Sequence, residues 1–445
     1  MATIQRFNHR SLSRLFFRFC YLLVSVVLLA PATVHAEPEY LKTPEIEIMH
    51  WWHRSGEARA MRVLRDEFEA RGGVWHDVSG LNSEEVLNQA VSRMAKGYAP
   101  TLVQWNSAWE IEQIRRLGLL NKAEPEMNEF LKNSLIENLV DMISVDGEIV
   151  AVPTNVHSEN WLWYRTDRQQ YTDPTIFHDW SRLLSEGMQN VNKDVPTYVL
   201  AVGDEPWQQR SLFNNVLLGI SGKEQYERLY QHLDVSVLRE EKFRETADTF
   251  KQLSQYSRSF GNGTWDQQVA AVAGDKALAV VLGDFAIGEF KNLGLRYGKD
   301  FDCVPAPGTE DHILLAMDFF VFGQVLTESE RKGQELFIKV VTDPLTNETF
   351  NYLKGSLPPL KDIDEYALDH CNQLAYSTLN QKGSAIRPYA SAGDRGFLTQ
   401  IDLAINKLWS TDIDISDWID EFESIFIEER AKRTRTEVIF VENNQ

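Results

Sequence analysis

The chain has 445 residues, 43% hydrophobic and 25% charged, an ordinary globular composition that excludes disordered, collagen-like and coiled-coil classes. Asp plus Glu outnumber Lys plus Arg by 65 to 45, a formal charge of −20. Such a surface repels phosphate backbones and anionic headgroups, so neither nucleic acid nor a lipid surface is an expected partner.

The first 36 residues read as an export signal. Arg6, Arg10, Arg14 and Arg18 form a basic leader without an acid, and residues 19–30 form an apolar run of 12. That run is shorter than the ~20 residues a membrane span needs. Val34-His35-Ala36 then places small residues where a signal peptidase reads, which predicts cleavage after Ala36, an uncleaved anchor being the alternative. The remaining chain is acidic and exported, which fits a soluble protein of a periplasmic or extracellular compartment; a periplasmic monomer is the expectation. Cys303 and Cys371 then lie in an oxidising compartment, where they either pair or persist as two buried thiols.

After the signal, 45–50 alternates polar and apolar residues and reads as a strand leading into Trp51-Trp52. Ser55-Gly56-Glu57 opens a helix, with Met61, Leu64 and Phe68 at helical spacing and Arg71-Gly72-Gly73 as its stop. Helices are predicted at 84–96 and 110–117, with a strand at 101–104 between them. Asp146-Gly147 signals a hairpin between β-like runs at 139–145 and 148–152. Further strands are expected at 161–164, 277–282 and 314–322, and helices at 176–189, 208–218, 239–260, 265–274 and 397–430. Strands alternating with helices imply an α/β fold with a mixed or parallel sheet. No linker-like tract divides the chain, so two lobes would be interleaved in sequence.

Nucleotide-loop, metalloprotease and nucleophile-elbow motifs are absent, and nothing implies a cofactor. His50 and His53 flank the Trp pair, but three-residue spacing at a strand end is weak metal-ligand geometry, and no metal is expected. The Trp pair stands out. Either one ring belongs to the core, or the rings form a platform for the apolar face of a sugar, whose hydroxyls then need carboxylate, amide and cation partners. Ligands of open α/β sheets bind at the carboxyl ends of strands. Trp51-Trp52, Gln104-Trp105 and Gly283-Asp284 all follow predicted strands.

These stretches carry a resemblance. HWWHRSGEARA (50–60), APTLVQW (99–105), AVPTNVHSENWLWY (151–164), LAVGDEPWQQRSLF (200–213), GDFAIGEF (283–290), DCVPAPGT (302–309) and FNYLKGSLPPLKD (350–362) occur in the order and spacing of one family. The chain resembles the periplasmic glucose/monosaccharide-binding proteins of carbohydrate ABC transporters, a branch of extracellular solute-binding family 1. The likeness runs over essentially all of 37–445. It implies a two-lobed periplasmic-binding-protein fold of type II, with a ligand cleft between lobes and a multi-segment hinge. Residues 37–153 and 318–357 would form the first lobe, and 154–317 and 358–445 the second. The implied partners are a sugar and a membrane permease.

By matching position the resemblance implies ligand contacts at Trp51, Trp52 and Glu57, a stacking ring at Trp265, and hydroxyl partners at Asp318 and Lys354. Gln104 and His157 are implied to face the cleft, and Cys303 to pair with Cys371. Asp318 also stands out by itself, as a charge inside LLAMDFFVF. Two positions depart from the family pattern. Ser391, in RPYASAG (387–393), stands where the family carries His, and Phe285 stands where Trp commonly follows Gly-Asp. Both departures fall on expected ligand contacts, so the sugar is expected to be other than glucose or glucose to be bound weakly, and the shorter Ser391 predicts a ligand larger than glucose or differently substituted. Two other functions remain open at this point. One is a sensor that signals to a membrane receptor or sensor kinase. The other is a glycoside-active enzyme using Glu57 with Asp318.

Overall fold

The computed structural model describes residues 43–53, 55–167, 174–190 and 198–443. The export signal and its cleavage point lie outside the described residues. Among the described residues no helix is long and apolar enough to cross a membrane.

Among the described residues twelve strands are formed: β1 (Glu45–His50), β2 (Val74–Ser79), β3 (Leu102–Trp105), β4 (Ser144–Val145), β5 (Glu148–Ile149), β6 (Ala151–Ser158), β7 (Trp161–Arg165), β8 (Tyr198–Leu200), β9 (Ala277–Leu282), β10 (Phe301–Pro305), β11 (Ile313–Phe322) and β12 (Ala385–Ile386). A six-stranded mixed sheet runs β12-β11-β3-β1-β2, with β6 also paired to β11. A four-stranded sheet runs β10-β7-β9-β8. β4 and β5 form a separate hairpin whose turn residues Asp146 and Gly147 both take positive φ, the conformation a tight two-residue hairpin turn requires.

The helices that position the site are α1 (Ser55–Ala70), α2 (Ser83–Ala95), α3 (Ala108–Arg116), α4 (Pro206–Tyr230), α5 (Trp265–Ala273), α6 (Pro344–Lys354), α7 (His370–Leu379), α8 (Arg395–Ser410) and α9 (Ile415–Asn443). α1 buries Ala60, Met61, Leu64 and Phe68 on one stripe. α6 carries signals at both ends. Asp343 caps its N-terminus through Thr346 N–H, Pro344 occupies its first turn, and Gly355 ends it at φ 75°, a conformation an L side chain resists.

One apolar cluster packs Trp52, Phe68, Trp75, Phe320, Phe337 and Phe350 around the six-stranded sheet. A second packs Phe213, Phe243, Phe250, Trp418 and Phe422. Three segments run side by side where the chain passes between the sheets. Val156 of β6 stands opposite Met317 of β11 on one flank. On the other it exchanges both backbone hydrogen bonds with Leu357, at 2.9 and 2.8 Å.

Several sequence expectations are corrected. The run 139–145 is not a strand: Glu137–Val140 is α-helical, Asp141–Ile143 is 3-10, and only Ser144–Val145 is extended. Leu139, Met142 and Ile143 are all buried, and their spacing is that of a helix face rather than a pleat. The second run divides into β5 and β6. β6 is buried at all eight positions, so it has no alternation to detect. β2 was not expected because it is an edge strand with only Trp75 fully buried. The tail 397–430 is two helices, α8 and α9, broken at residues 411–414. Further helices at Glu328–Val341 and in α7 carry their own caps, a Thr327–Glu330 capping box and Asp369, and were also unanticipated.

Cys303 of β10 is joined to Cys371 of α7 by a disulfide across 68 positions, with a Cα–Cα distance of 6.4 Å. Of the two states the sequence left open, the protein adopts the paired one. A loop of that length is worth roughly 4 kcal/mol on a chain-entropy estimate. Thiol titration of the denatured, unreduced exported chain is expected to find no free thiol, and Cys303→Ser with Cys371→Ser to lower the unfolding temperature.

Candidate functional site

The site is built around Asp318. Its strand, β11, is otherwise apolar, and an unpaired carboxylate there would be costly. The strand resolves this with a bulge. Pairing with β6 slips between Asp318 and Phe319, leaving Thr154 as the extra residue. A bulge re-aims a side chain. Asp318 Oδ1 accepts from Gln104 Nε2 at 3.3 Å, and Oδ2 from Asn155 Nδ2 at 3.1 Å. Gln104, at the end of β3, uses its other end to accept the Trp51 backbone N–H at 3.1 Å.

The same bulge seats α6. The Thr154 carbonyl accepts from Asn347 Nδ2 and Asn351 Nδ2, each at 3.1 Å, two amides one turn apart on that helix. The helix end is thereby aimed so that Lys354 Nζ lies 3.3 Å from His157 Nε2, 3.5 Å from Glu57 Oε1 and 5.0 Å from the Trp52 ring centroid. His157 is oriented from behind. Its Nδ1 lies 2.6 Å from Asp284 Oδ1, while Asp284 Oδ2 accepts Ser158 N–H at 3.1 Å. Asp284 cannot donate as a carboxylate, so Nδ1 carries the proton and Nε2 faces Lys354 as an acceptor. Glu57, Lys354, His157, Asp284 and Asp318 thus form one connected polar network, with His157 Nε2 3.9 Å from Asp318 Oδ2.

Aromatic rings flank it. Trp265 begins α5, is half-buried, and meets Phe285 edge-on at 5.2 Å. Phe285 in turn meets His157 at 5.7 Å and Trp207 at 6.3 Å. Trp51 is half-buried, whereas Trp52 is 2% exposed and packs on Phe320 and Phe350. One ring of the pair is therefore core, and what it offers the site is a floor beneath Lys354.

On the far side of Asp318 the sheet has a gap. β11 pairs with β12 at Ile313–Leu314 and with β3 at Phe319–Phe322, but along Leu315–Asp318 this edge meets no strand among the described residues. A cavity of about 100 Å³ opens there, walled by Leu315–Asp318, Asn106, Glu159, Arg210 and Pro388–Ala390. Arg210 Nη1 contacts Asp402 Oδ2 at 3.1 Å, and its guanidinium lies 4.5 Å over the Tyr389 ring. Tyr389 OH donates to Asp402 at 3.2 Å. Burial pushes the Glu159 carboxyl above the usual range. Arg210 and His157 oppose that shift, and Asp284 and Asp318 add to it. Asp402 is likewise raised by burial, against the pull of Arg210.

Ser391 borders this cavity in sequence, but its Oγ accepts Ala108 N–H at 3.1 Å, at the first turn of α3. Close by, Arg395 Nε donates to Glu110 Oε1 at 3.0 Å. His50 and His53 are both occupied locally. His50 accepts Trp52 N–H at Nδ1 and reaches Asp77 at 3.0 Å through Nε2, and that bond holds the Asp77 carboxyl below its usual range. His53 Nδ1 lies 3.1 Å from Trp51 O.

The expected residues Gln104, His157, Asp318, Lys354 and Glu57 are thus brought together, with Trp265 joined to them through Phe285. Asn155, Asp284, Trp207, Glu159 and Arg210 were not nominated individually. All five lie within the stretches that carried the resemblance, where only their place in the folded chain, on β6, on α4 or just after a strand, distinguishes them from their neighbours.

The sequence profile of the bacterial extracellular solute-binding proteins matches residues 64–370. A Brucella suis protein named as a probable sugar-binding periplasmic protein is 29% identical over 346 residues, covering 76% of this chain and 80% of its own. A Pyrococcus horikoshii protein named as an uncharacterized ABC transporter extracellular-binding protein is 26% identical over 385 residues, 82% and 83% of the two chains. Among solved structures, the solute receptor AcbH, described as preferring β-D-galactopyranose, superposes with a TM-score of 0.72 at 13% identity, covering 88% of this chain and 99% of its own. A chitin oligosaccharide binding protein gives 0.71 at 16% identity, covering 88% and 100%. At such identities the likeness establishes the fold, which is the two-lobed α/β fold of solute-binding receptors.

Two predictions follow from the geometry. Trp52→Ala should cost about 3–5 kcal/mol of stability, as core tryptophans do, and half-buried Trp265→Ala far less, by chemical denaturation. Glu159 titrates from a folded value above its unfolded one. Its protonated form therefore stabilises the fold below the unfolded value, about pH 4.3, and that contribution is lost as pH rises through the folded value. Glu159→Gln should therefore melt higher than wild type at pH 7.5, with the difference shrinking towards pH 4.

Proposed function

The chain belongs to the bacterial extracellular solute-binding protein family, and from that premise we propose that it is a periplasmic sugar receptor that captures a monosaccharide between its lobes and presents it to an ABC permease. The observation that carries this reading is the pairing of an aromatic wall with a fixed polar network. Trp265, Phe285 and Trp207 offer apolar faces and edges for a pyranose ring. Asp318, His157, Lys354 and Glu57 offer acceptors and donors whose orientation is set by neighbours before any ligand arrives. The names of the similar periplasmic proteins support a sugar as ligand.

The lobes are proposed as 37–153 with 318–357, and 154–317 with 358–445. The three segments at Val156, Met317 and Leu357 support this division, because they lie side by side where the chain crosses between the proposed lobes, the arrangement of a hinge. Ser391 and Arg395 would then reach from the second lobe to α3 of the first and help hold the closed form. The carboxylates are held by amides, a lysine and a histidine, which suits binding and release of an unaltered sugar. The proposal takes residues 1–36 as an export signal lost after Ala36, and the receptor as a periplasmic monomer; the names of the similar periplasmic proteins support that compartment.

Thermal unfolding across a panel of monosaccharides and disaccharides is expected to show a concentration-dependent rise with one class of hexose. Trp265→Ala and Lys354→Met should each weaken that ligand at least about tenfold in calorimetric titration, the scale of a lost stacking face or charge-assisted bond. A panel that leaves the melting temperature unchanged throughout would overturn the reading.

A further inference from the structure

We propose that the cavity beside Asp318 is a subsite that reads a protonated amine on the sugar, so that the preferred ligand is an amino hexose rather than a neutral one. This rests on the sugar-receptor reading and specifies its substrate class.

The cavity is built, not incidental. It lies where β11 is left without a neighbour between β12 and β3, so backbone groups of Leu315–Asp318 face it rather than a strand. Its volume of about 100 Å³, below the roughly 150 Å³ of a cavity that takes up a benzene ring, suits a ring substituent. It also adjoins the network that would hold the ring, since Asp318 belongs to both.

The charges around it do not balance from within. Glu159 from the β6–β7 junction and Asp318 from β11 both line the space, and Arg210 from α4 is the one cation among the lining residues. Arg210 is already paired with Asp402 of α8, beneath the Tyr389 ring. Lys354, the cation of the polar network, is engaged by Glu57 and His157. Asp284 beyond His157 adds another carboxylate. Glu159 itself has no side-chain hydrogen bond or ion pair among the described contacts, whereas the other carboxylates here each have at least one. Arg210 acts on the half-buried Glu159 carboxylate only through space, its guanidinium being bonded to Asp402, and a ligand ammonium would supply a charge and hydrogen-bond donors in direct contact. A neutral hydroxyl would supply a donor alone, and a sugar acid would add repulsion.

The test is calorimetric titration at pH 6.5 with glucosamine, glucose, N-acetylglucosamine and glucuronate, on wild type and Glu159→Gln. Glucosamine is expected to bind wild type about tenfold or more tightly than glucose, the scale of one charge-assisted hydrogen bond. Glucuronate should be weakest. In Glu159→Gln the glucosamine-to-glucose ratio should fall towards one. In wild type the same ratio should fall as pH rises through the pKa of the sugar amine. Glucose binding as tightly as glucosamine overturns the inference and leaves the sugar reading intact. So does N-acetylglucosamine matching glucosamine, which would mean size rather than charge is read, or a ratio unmoved in Glu159→Gln. If none of these sugars nor any other in the panel binds, the receptor reading itself fails.

Discussion

A carboxylate set into an apolar strand has to be solvated by the protein, and at Asp318 that requirement organises the cleft. The bulge in the β6–β11 ladder turns the side chain to where Gln104 and Asn155 can donate to it. The bulged residue, Thr154, is left with a carbonyl that the ladder does not use, and Asn347 and Asn351 take it up. That anchors α6, and α6 delivers Lys354. A local irregularity thus sets both the acceptor and the cation of the site, which lie 36 residues apart in the chain.

The network is stiff because its central members are each held twice. His157 is clamped by Asp284 at one nitrogen and meets Lys354 at the other, so its tautomer is decided before a ligand binds. Gln104 spans Asp318 and the Trp51 backbone, tying the end of β3 to the loop after β1. Receptors gain affinity from such preorganisation, since little side-chain freedom is left to lose on binding. Glu159 is the exception. It faces a small cavity without a side-chain hydrogen bond among the described residues, and a group left free beside such a network is where specificity is expected to reside.

Much of the architecture was legible in the residues. The strand-helix rhythm, the helix starting at Ser55, the Asp146-Gly147 turn, the apolar strand at 277–282 and the misfit of Asp318 all follow from local pattern. What was missed had lost its local signal. β6 is buried throughout and shows no alternation. β2 is an edge strand with one fully buried ring. The run at 139–145 is apolar enough for a strand, yet it buries its residues at helical spacing. At the Trp pair, composition marked both rings, and only packing on Phe320 and Phe350 separates the core ring from the half-buried one.

The chain's charge, many of its element types and its family are properties of neighbouring residues or of motif order, so they could be read in one dimension. The convergence of Glu57, His157, Asp284, Asp318 and Lys354 could not, because those residues span 57 to 354 and meet only through strand register and a bulge. The cavity beside them is less legible still. It exists because two strands stop short of each other along one edge of β11, and an absent pairing leaves no mark in the sequence of the strand that lacks it.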